Sequence, residues 1–300
     1  MSAAPAMTSP GALTTWLMAT RPRTLAASLV PVMVGTAAAA HDGAFRPPLA
    51  FAALLGAVLI QIGTNLVNDY ADHLRGADNA ERMGPPRVTQ MGLLSPATVR
   101  AAAATCFAAA LLVGLYLAMH GGWPIVVVGI LSLLSGYAYT GGPWPLAYHG
   151  LGDVFVFVFF GPVAVVGTYY LQTGTVTALP VVASLGVGAV ATALLVVNNL
   201  RDIPTDQKCG KRTLAVRLGE RLTRVQYVFL LVVAVVTPLA LLALLPDHRA
   251  ILLGLLGVPF AVPPARVVLA QRGAALNGAL AGTARLHVVM GALLSLGLML

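Results

Sequence analysis

Long apolar segments separated by short polar stretches run through most of this chain. A helix needs roughly 20 apolar residues to cross the hydrocarbon core of a bilayer, and about nine segments approach that length. They lie near residues 24–40, 48–71, 98–119, 123–139, 152–171, 179–199, 225–245, 249–269 and 280–299. The sequence lacks the aromatic-rich alternating strands that would indicate a membrane barrel. The pattern therefore predicts an all-α polytopic membrane protein, a bundle of about nine transmembrane helices.

The composition agrees with a membrane protein and gives no sign of a second domain. Of the 300 residues, 58% are hydrophobic and only 9% are charged, a balance that soluble globular domains do not show. Because little chain remains between the apolar segments, we expect residues 16–300 to form one transmembrane domain. Residues 1–15 are rich in Ala, Ser, Pro and Thr, and we expect them to be disordered.

The distribution of positive charge predicts the orientation of the bundle. Lys and Arg favour the cytoplasmic side of short loops. Of the 18 Lys and Arg residues, all except Arg46 and Arg249 fall on one side of a nine-helix arrangement. We therefore expect a cytoplasmic N-terminus in the cell (inner) membrane, and we interpret the net charge of +8 mainly as an orientation signal. Nucleic-acid binding would need a solvated basic domain, and none is visible in the sequence.

Polar residues form a stripe at the end of the second apolar segment. Gln61, Asn65, Asn68, Asp69 and Asp72 are spaced i, i+4, i+7, i+8 and i+11, which puts them on one face of a helix. Polar groups facing lipid would cost several kcal/mol each, so the stripe should face a water-filled cavity. Asp69 and Asp72 lie one turn apart, and both carboxylates can reach one Mg²⁺ ion. A stripe with a purely structural role is the alternative.

The stripe runs into a loop of alternating charge. This loop supplies Arg75, Asp78, Arg82 and Arg87. We interpret it as an ordered cap over a charged ligand at the cytoplasmic side. The alternative is a solvated loop that only follows the positive-inside rule.

A second polar cluster closes the sixth apolar segment. Asn198, Asp202 and Asp206 are spaced i, i+4 and i+8, and Asn199 lies beside the first of them. Pro204 disfavours helical geometry at the residue before it, so the helix could bend or end between the two aspartates.

Three cations follow the second cluster. Lys208, Lys211 and Arg212 could bridge the oxygens of a diphosphate, which needs more positive charge than Mg²⁺ alone supplies. An ordinary cytoplasmic loop is the alternative. Carboxylates backed by cations at the mouth of a bundle thus indicate a divalent metal that holds a phosphorylated ligand.

The two clusters resemble the Asp-rich motifs of the UbiA superfamily of intramembrane aromatic prenyltransferases. The matching stretches are N-D-Y-A-D at 68–72 and D-I-P-T-D at 202–206. In that superfamily the two motifs bind prenyl diphosphate through Mg²⁺. The resemblance implies that Asp69, Asp72, Asp202 and Asp206 are catalytic and hold one or two Mg²⁺ ions. It also implies that the neighbouring polar and basic residues bind the diphosphate.

The chain is most similar to the 1,4-dihydroxy-2-naphthoate polyprenyltransferases of menaquinone synthesis. This closer match rests on residues 21–35, 77–93, 139–153 and 198–219. It implies transfer of a polyprenyl group from polyprenyl diphosphate to 1,4-dihydroxy-2-naphthoate, with loss of CO₂ and diphosphate, to give demethylmenaquinone.

One position departs from the superfamily pattern. Many members carry a cation a few residues after the tyrosine at the Tyr139 position, and this chain reads T-G-G-P-W there. We expect Arg75, Lys208 or Lys211 to replace that cation.

The residues that bind the aromatic acceptor are less well defined. A Tyr or an acid near the ring could help to deprotonate the naphthol. An incidental loop histidine, a helix cap and an orientation signal are the alternatives for several of them. The candidates are Arg21, Arg23, Thr24, Tyr148, His149 and Asp153, and Tyr139 is a further substrate-binding candidate that borders the site.

Two other functions remain compatible with the residues. Membrane Asn and Asp pairs also occur in cation-coupled transporters, although such sites usually lie near the bilayer midplane. A sibling prenyltransferase could act on another acceptor such as 4-hydroxybenzoate, homogentisate or a haem. The bilayer itself is the remaining expected partner.

Overall fold

The computed structural model describes residues 10–78 and 82–300, with the side chain of Arg23 left out. Within these residues the fold is all-α, as predicted, and contains no β-strand. The α-helices are α1 (Ala12–Thr20), α2 (Pro22–His41), α3 (Pro47–Leu74), α4 (Pro96–Ala138), α5 (Gly152–Val158), α6 (Ala164–Thr173), α7 (Ala178–Lys208), α8 (Leu214–Leu244), α9 (Val262–Ala270) and α10 (Leu276–Met299). A π-helical turn, Phe159–Val163, joins α5 to α6, and a 3₁₀ helix, Arg249–Ala261, leads into α9.

The helices match the nine predicted membrane segments. Eight continuous helical stretches in the described part of the chain are long and apolar enough to cross a membrane. One of them, α4, has 43 residues and would be about 65 Å long if straight, twice the thickness of a hydrocarbon core. Its backbone breaks at Gly122, where φ is 66°, and Pro124 follows. The break separates the predicted segments 98–119 and 123–139.

Helix ends carry the residues that favour them. Pro22, Pro47 and Pro96 occupy the first helical position, where a missing N–H costs nothing. The hydroxyl of Ser95 accepts a hydrogen bond from the backbone N–H of Thr98 at 3.1 Å and caps α4.

The bundle is built around α7, which is largely buried. This helix packs against α8 and α10, and α3 packs against α4. Gly188 on α7 faces Gly161 in the π-helical turn so closely that a Cβ at either position would lie 3.0 Å from the other Cα. Asp202 and Asp206 lie near the end of this central helix, which ends at Lys208.

The structure differs from the expectations in three places. Pro204 neither ends nor divides α7, which continues to Lys208, so both aspartates of the second cluster belong to one helix. The segment predicted near 249–269 begins as a 3₁₀ helix. The expected boundary at residue 15 falls inside α1, whereas residues 1–9 lie outside the described part of the chain.

Candidate functional site

The polar stripe of α3 faces the interior of the bundle. Asn65 donates hydrogen bonds from Nδ2 to the carbonyl of Thr20 and to Oγ1 of Thr24, at 3.0 and 2.9 Å. Gln61 lies one turn away, with Nε2 3.5 Å from Oδ1 of Asn65. Asn65 thus connects α3 to the junction of α1 and α2. The stripe lies within one continuous helix, so the predicted shared face is confirmed.

Asp72 lies at the centre of a charged network. It is 1% exposed. Its Oδ2 accepts a hydrogen bond from Nη1 of Arg87 at 2.8 Å, and its Oδ1 accepts one from the hydroxyl of Tyr148 at 2.9 Å. Nζ of Lys211 lies 3.7 Å from Oδ2. One carboxylate therefore contacts three separate connections at the same end of the bundle.

Lys211 brings the two Asp-rich motifs together. Its Nζ lies 4.0 Å from Oδ1 of Asp206, in addition to the contact with Asp72. Burial alone would lower the pKa of Lys211, but the carboxylates of Asp72 and Asp206 outweigh it, so the pKa lies above its usual value. The lysine therefore remains an ammonium group between two carboxylates from opposite halves of the chain.

The loop after α3 folds back over the end of that helix. Arg87 pairs with Asp78 at 2.6 Å and also donates to the backbone carbonyl of Asn68. Arg82 pairs with Asp78 as well. Burial alone would lower the pKa of Arg87. The carboxylates of Asp72 and Asp78 outweigh this effect, so the pKa lies above its usual value. These buried pairs hold the described part of the loop as a charged cover over the end of α3, and its predicted role as a cap over a charged ligand stays a prediction.

Asp69 faces this cover rather than the second motif. Its Oδ1 accepts a hydrogen bond from the backbone N–H of Thr89 at 3.2 Å, and the carboxyl group is buried. Asn68, on the same turn, accepts a hydrogen bond from the hydroxyl of Thr140. The first motif thus contacts both the 82–92 loop and the end of α4.

Asp202 is held by a residue that the sequence analysis assigned only to orientation. Both oxygens of Asp202 accept hydrogen bonds from Arg201, at 2.8 Å from Nε and 2.7 Å from Nη2. Nη2 also donates to Oδ1 of Asn198 at 2.7 Å. Arg201 is 1% exposed. Its position within N-N-L-R-D, inside an apolar helix, was a signal for such a buried pair.

Arg201 also joins α7 to two distant segments. Its Nη1 donates to Oδ1 of Asn277 at 2.7 Å, and Nδ2 of Asn277 donates to the carbonyl of Met83 at 3.0 Å. A Cβ on Gly84 would lie 2.7 Å from Nη2 of Arg201. The guanidinium thus fixes the start of α10 and the 82–87 stretch relative to Asp202. No sequence pattern marked Asn277.

Arg75 brings positive charge to the loop that lacks the expected cation after Tyr139. It donates to the carbonyl of Thr140 and, at 2.6 Å, to the carbonyl of Gly142. Its guanidinium carbon lies 5.3 Å from the ring centre of Tyr148, and Nζ of Lys211 lies at the same distance from that ring. Of the three candidate replacements, Arg75 and Lys211 make these contacts, and Lys208 is the last residue of α7.

The acceptor candidates divide into two groups. Tyr148 contacts Asp72 directly; burial raises its pKa, and the carboxylate of Asp72 raises it further. Burial lowers the pKa of Arg21 to about 9, helped by the nearby charges of Arg87 and Arg82. Nη2 of Arg21 is buried without a hydrogen-bond partner among the described residues, so this guanidinium keeps a donor for an anion.

The remaining acceptor candidates have local partners. The ring of His149 stacks on Trp144 with centroids 4.1 Å apart, and its Nδ1 bonds the carbonyl of Pro145. Oδ1 of Asp153 accepts a hydrogen bond from Gln226 at 3.1 Å. Thr24 receives the bond from Asn65 described above. The side chain of Arg23 lies outside the described residues.

Two further candidates lie around the network without entering it. Asn199 is buried on α7. Arg212 is exposed, and its backbone N–H donates to the carbonyl of Tyr148 at 3.1 Å.

A long apolar cavity of about 330 Å³ begins beside the α3 stripe. Gln61, Thr64 and Tyr139 supply polar groups to its lining, and the π-helical turn supplies Phe159 and Phe160. Further lining residues such as Leu115 are half exposed on the outer face of α4, so the cavity reaches the lipid-facing surface. Its shape and lining suit a hydrocarbon chain whose polar end points towards the α3 stripe.

The carboxylates suit Mg²⁺ in the presence of a phosphorylated ligand. Within residues 10–78 and 82–300, no three His, Cys, Asp or Glu side chains are arranged to hold a metal by themselves. Mg²⁺ does not need such a set, because one or two carboxylates complemented by phosphate oxygens and water satisfy it. Asp72 and Asp206, which share Lys211, provide that kind of pair.

Comparison with known proteins gives a consistent result. The model of the UbiA prenyltransferase family matches residues 28–287. The chain is 42% identical over 258 residues to the 1,4-dihydroxy-2-naphthoate octaprenyltransferase of Mycobacterium tuberculosis, covering 86% of this chain and 87% of that protein. It is 40% identical over 263 residues to the Escherichia coli enzyme of the same name, covering 85% of each.

Solved structures share the fold at low sequence identity. The apo structure of a UbiA homolog from Aeropyrum pernix matches with a TM-score of 0.66 and 14% identity, covering 89% of this chain and 96% of that one. A UbiA homolog from Archaeoglobus fulgidus bound to GPP and Mg²⁺ matches with a TM-score of 0.53 and 16% identity, covering 94% and 99%. The family match extends over most of the chain and includes both Asp-rich motifs, so the chain belongs to the UbiA prenyltransferase family.

Proposed function

We propose that this protein is a 1,4-dihydroxy-2-naphthoate polyprenyltransferase. The observation that carries this proposal is the meeting of Asp72 and Asp206 at Lys211, together with an apolar cavity that Gln61 and Thr64 of the same helix as Asp72 help to line. A diphosphate at the charged network and a hydrocarbon chain in the cavity match the two ends of a polyprenyl diphosphate. The acceptor follows from the relatives, since those about 40% identical carry that activity in their names.

The proposal divides the work among the residues of the network. Lys211, Arg87 and Arg82 stabilise the negative charge that develops as the allylic carbon–oxygen bond breaks and diphosphate leaves. Bound Mg²⁺, held by carboxylates among Asp69, Asp72, Asp202 and Asp206, would neutralise further charge on that leaving group. The apolar lining of the cavity keeps water away from the allylic cation.

The second half of the reaction takes place on the aromatic ring. The ring carbon that bears the carboxylate attacks the allylic cation, and the carboxylate leaves as CO₂. This gives the hydroquinone form of demethylmenaquinone, so oxidation to the quinone is a separate step. The unpartnered Nη2 of Arg21 is our candidate for binding the ring carboxylate before it leaves. The hydroxyl of Tyr148 donates a hydrogen bond to Asp72 and thereby helps to orient the charged network.

A labelled acceptor tests the proposed reaction. The purified protein is mixed with Mg²⁺, a polyprenyl diphosphate and 1,4-dihydroxy-2-naphthoate that carries ¹⁴C in its carboxyl group. We expect equimolar ¹⁴CO₂ and prenylated hydroquinone. Prenylation of 4-hydroxybenzoate without turnover of the naphthoate would instead identify a sibling activity, and no prenyl transfer to any acceptor would refute the proposal.

We infer further that the site opens to the cytoplasm. Arg87, Tyr148 and Lys211 lie on connections that meet Asp72 near the end of α3, and the positive-inside rule assigns that end of the bundle to the cytoplasm. A cysteine at exposed Gln207, in a background without Cys106 and Cys209, should react with a membrane-impermeant maleimide only after the membrane is opened. A cysteine at exposed Thr175, in the connection just before the opposite end of α7, should react while the membrane is still closed. The reverse labelling pattern would refute this orientation.

A further inference from the structure

A groove of about 620 Å³ lies on the outer face of the bundle between α8 and α9. It shares no lining residue with the apolar cavity described above. The backbone of α8 breaks at Gly219, where φ is 73°, so the straight part of this helix begins at Glu220. Lys211 precedes α8 by only three residues, which places the groove at the same end of the bundle as the Asp-rich motifs.

The wall of the groove on α8 is a single helical stripe that changes character along its length. Arg221, Arg224, Val225, Val228 and Phe229 follow the spacing i, i+3, i+4, i+7 and i+8, and all of them line the groove. The stripe is charged at its first turn and apolar over the next two. Arg221 and Phe229 are about 12 Å apart along the helix axis, roughly the depth from a lipid headgroup into the acyl region.

The charged end of the groove is rigidly built. Arg224 donates to the backbone carbonyls of Leu269 and Gln271, at 2.9 and 3.0 Å, and thereby joins α8 to the end of α9. Glu220 pairs with Arg272 at 2.7 Å and with Arg224 at 3.5 Å. Nε of Arg224 is buried without a hydrogen-bond partner among the described residues.

The charges around the groove do not balance. Three arginines, Arg221, Arg224 and Arg272, face a single carboxylate, Glu220, which leaves a net charge of +2. Arg272 is 76% exposed, and Arg221 is exposed and makes no ion pair or hydrogen bond with any other residue the structure describes. The groove therefore presents unneutralised guanidinium groups, which bind phosphate oxygens well.

The apolar end of the groove is open to the surroundings of the protein. Phe229, Val225 and Leu269 are 63%, 58% and 51% exposed. Guanidinium groups at the membrane surface above an apolar wall match a ligand with a phosphodiester head and hydrocarbon chains. We propose that the groove between α8 and α9 is a binding site for one anionic phospholipid, with the phosphodiester near Arg221 and Arg272 and an acyl chain along Val225, Val228 and Phe229.

Native mass spectrometry of the full-length protein tests this site. The detergent-solubilised protein is titrated with phosphatidylglycerol and, separately, with phosphatidylcholine that carries the same acyl chains. We expect one phosphatidylglycerol molecule to bind at concentrations at which phosphatidylcholine does not. The double variant Arg221→Gln/Arg272→Gln should bind phosphatidylglycerol at least 10-fold more weakly, since each arginine near the membrane surface contributes measurably to anionic lipid binding.

A matched variant controls for the loss of charge. Arg100→Gln/Arg285→Gln also removes two exposed positive charges but leaves the groove intact, and it should bind phosphatidylglycerol like the wild type. Equal binding by all three proteins, or equal binding of the two lipids, would overturn the proposal. So would displacement of the lipid by millimolar inorganic phosphate, which would assign the site to a free anion. A dimer that is lost only in the groove variant would assign it to a second copy of the chain.

Discussion

Nζ of Lys211 lies 3.7 Å from Oδ2 of Asp72, although the two residues belong to opposite halves of the chain. The same ammonium group lies 4.0 Å from Asp206. Lys211 therefore connects the two Asp-rich motifs, and in the proposed reaction it stabilises the leaving diphosphate.

Replacing Lys211 with glutamine should remove most of the activity. A preorganised donor at developing negative charge contributes about 10²- to 10³-fold to turnover, and we expect kcat/KM for polyprenyl diphosphate to fall by that order. The assay is prenyl transfer by the purified variant. Arg100→Gln, which removes an exposed cation of α4, serves as the control and should retain normal turnover. A folded Lys211→Gln protein with wild-type kinetics would exclude the lysine from the site.

Chelation should abolish the activity reversibly. In the proposed mechanism the carboxylates of both motifs bind a diphosphate through a divalent ion, because they would otherwise repel it. We expect no prenyl transfer in excess EDTA and full recovery when Mg²⁺ is added beyond the chelator. The measurement is the initial rate before and after add-back. Undiminished turnover in EDTA would remove the metal from the mechanism.

The cavity should determine which prenyl chains are accepted. Gly129 lines it, and a Cβ at that position would meet no atom within 4 Å, so Gly129→Leu fills space without a clash. We expect kcat/KM to fall at least 10-fold for a long polyprenyl diphosphate and to change little for a C10 substrate. Gly278→Leu, also without a neighbour within 4 Å but remote from the cavity, is the matched control. An equal loss for both chain lengths would place the chain elsewhere.

Arg201 should contribute mainly to the stability of the site. Arg201→Gln leaves the buried carboxylate of Asp202 without its bidentate partner, which we expect to destabilise the protein by about 3 kcal/mol. Asn277→Ala breaks only the links to Arg201 and Met83 and should cost about 1–2 kcal/mol. Thermal unfolding in detergent measures both. If Arg201→Gln melts like the wild type, the guanidinium does not support Asp202.

The sequence was sufficient to predict the bundle and the first motif. Nine apolar segments gave the helices, and the 3.6-residue periodicity placed Gln61, Asn65, Asn68, Asp69 and Asp72 on one face. On that face Asn65, Asp69 and Asp72 are buried and the other two residues are half-buried, because a polar stripe in an apolar helix has to find partners inside the bundle.

Contacts between distant segments could not be predicted from local patterns. The bonds from Arg201 to Asn277, and from Asn277 to Met83, join three segments whose proximity depends on how the helices pack. Pro204 shows the converse, a local preference that the fold overrides. Its local preference suggested a break, but α7 is packed in the centre of the bundle and continues past it to Lys208. Tertiary packing thus outweighed the local preference.

A double-mutant cycle between Asp72 and Lys211 tests most directly whether the two motifs build one site. The measurement is kcat/KM for polyprenyl diphosphate with the wild type, Asp72→Asn, Lys211→Gln and the double variant. Because the proposal places both side chains at the same diphosphate, and because they contact each other, we predict that the double variant loses much less than the product of the two single losses. Losses that multiply would show that Asp72 and Lys211 act independently, which contradicts a shared site.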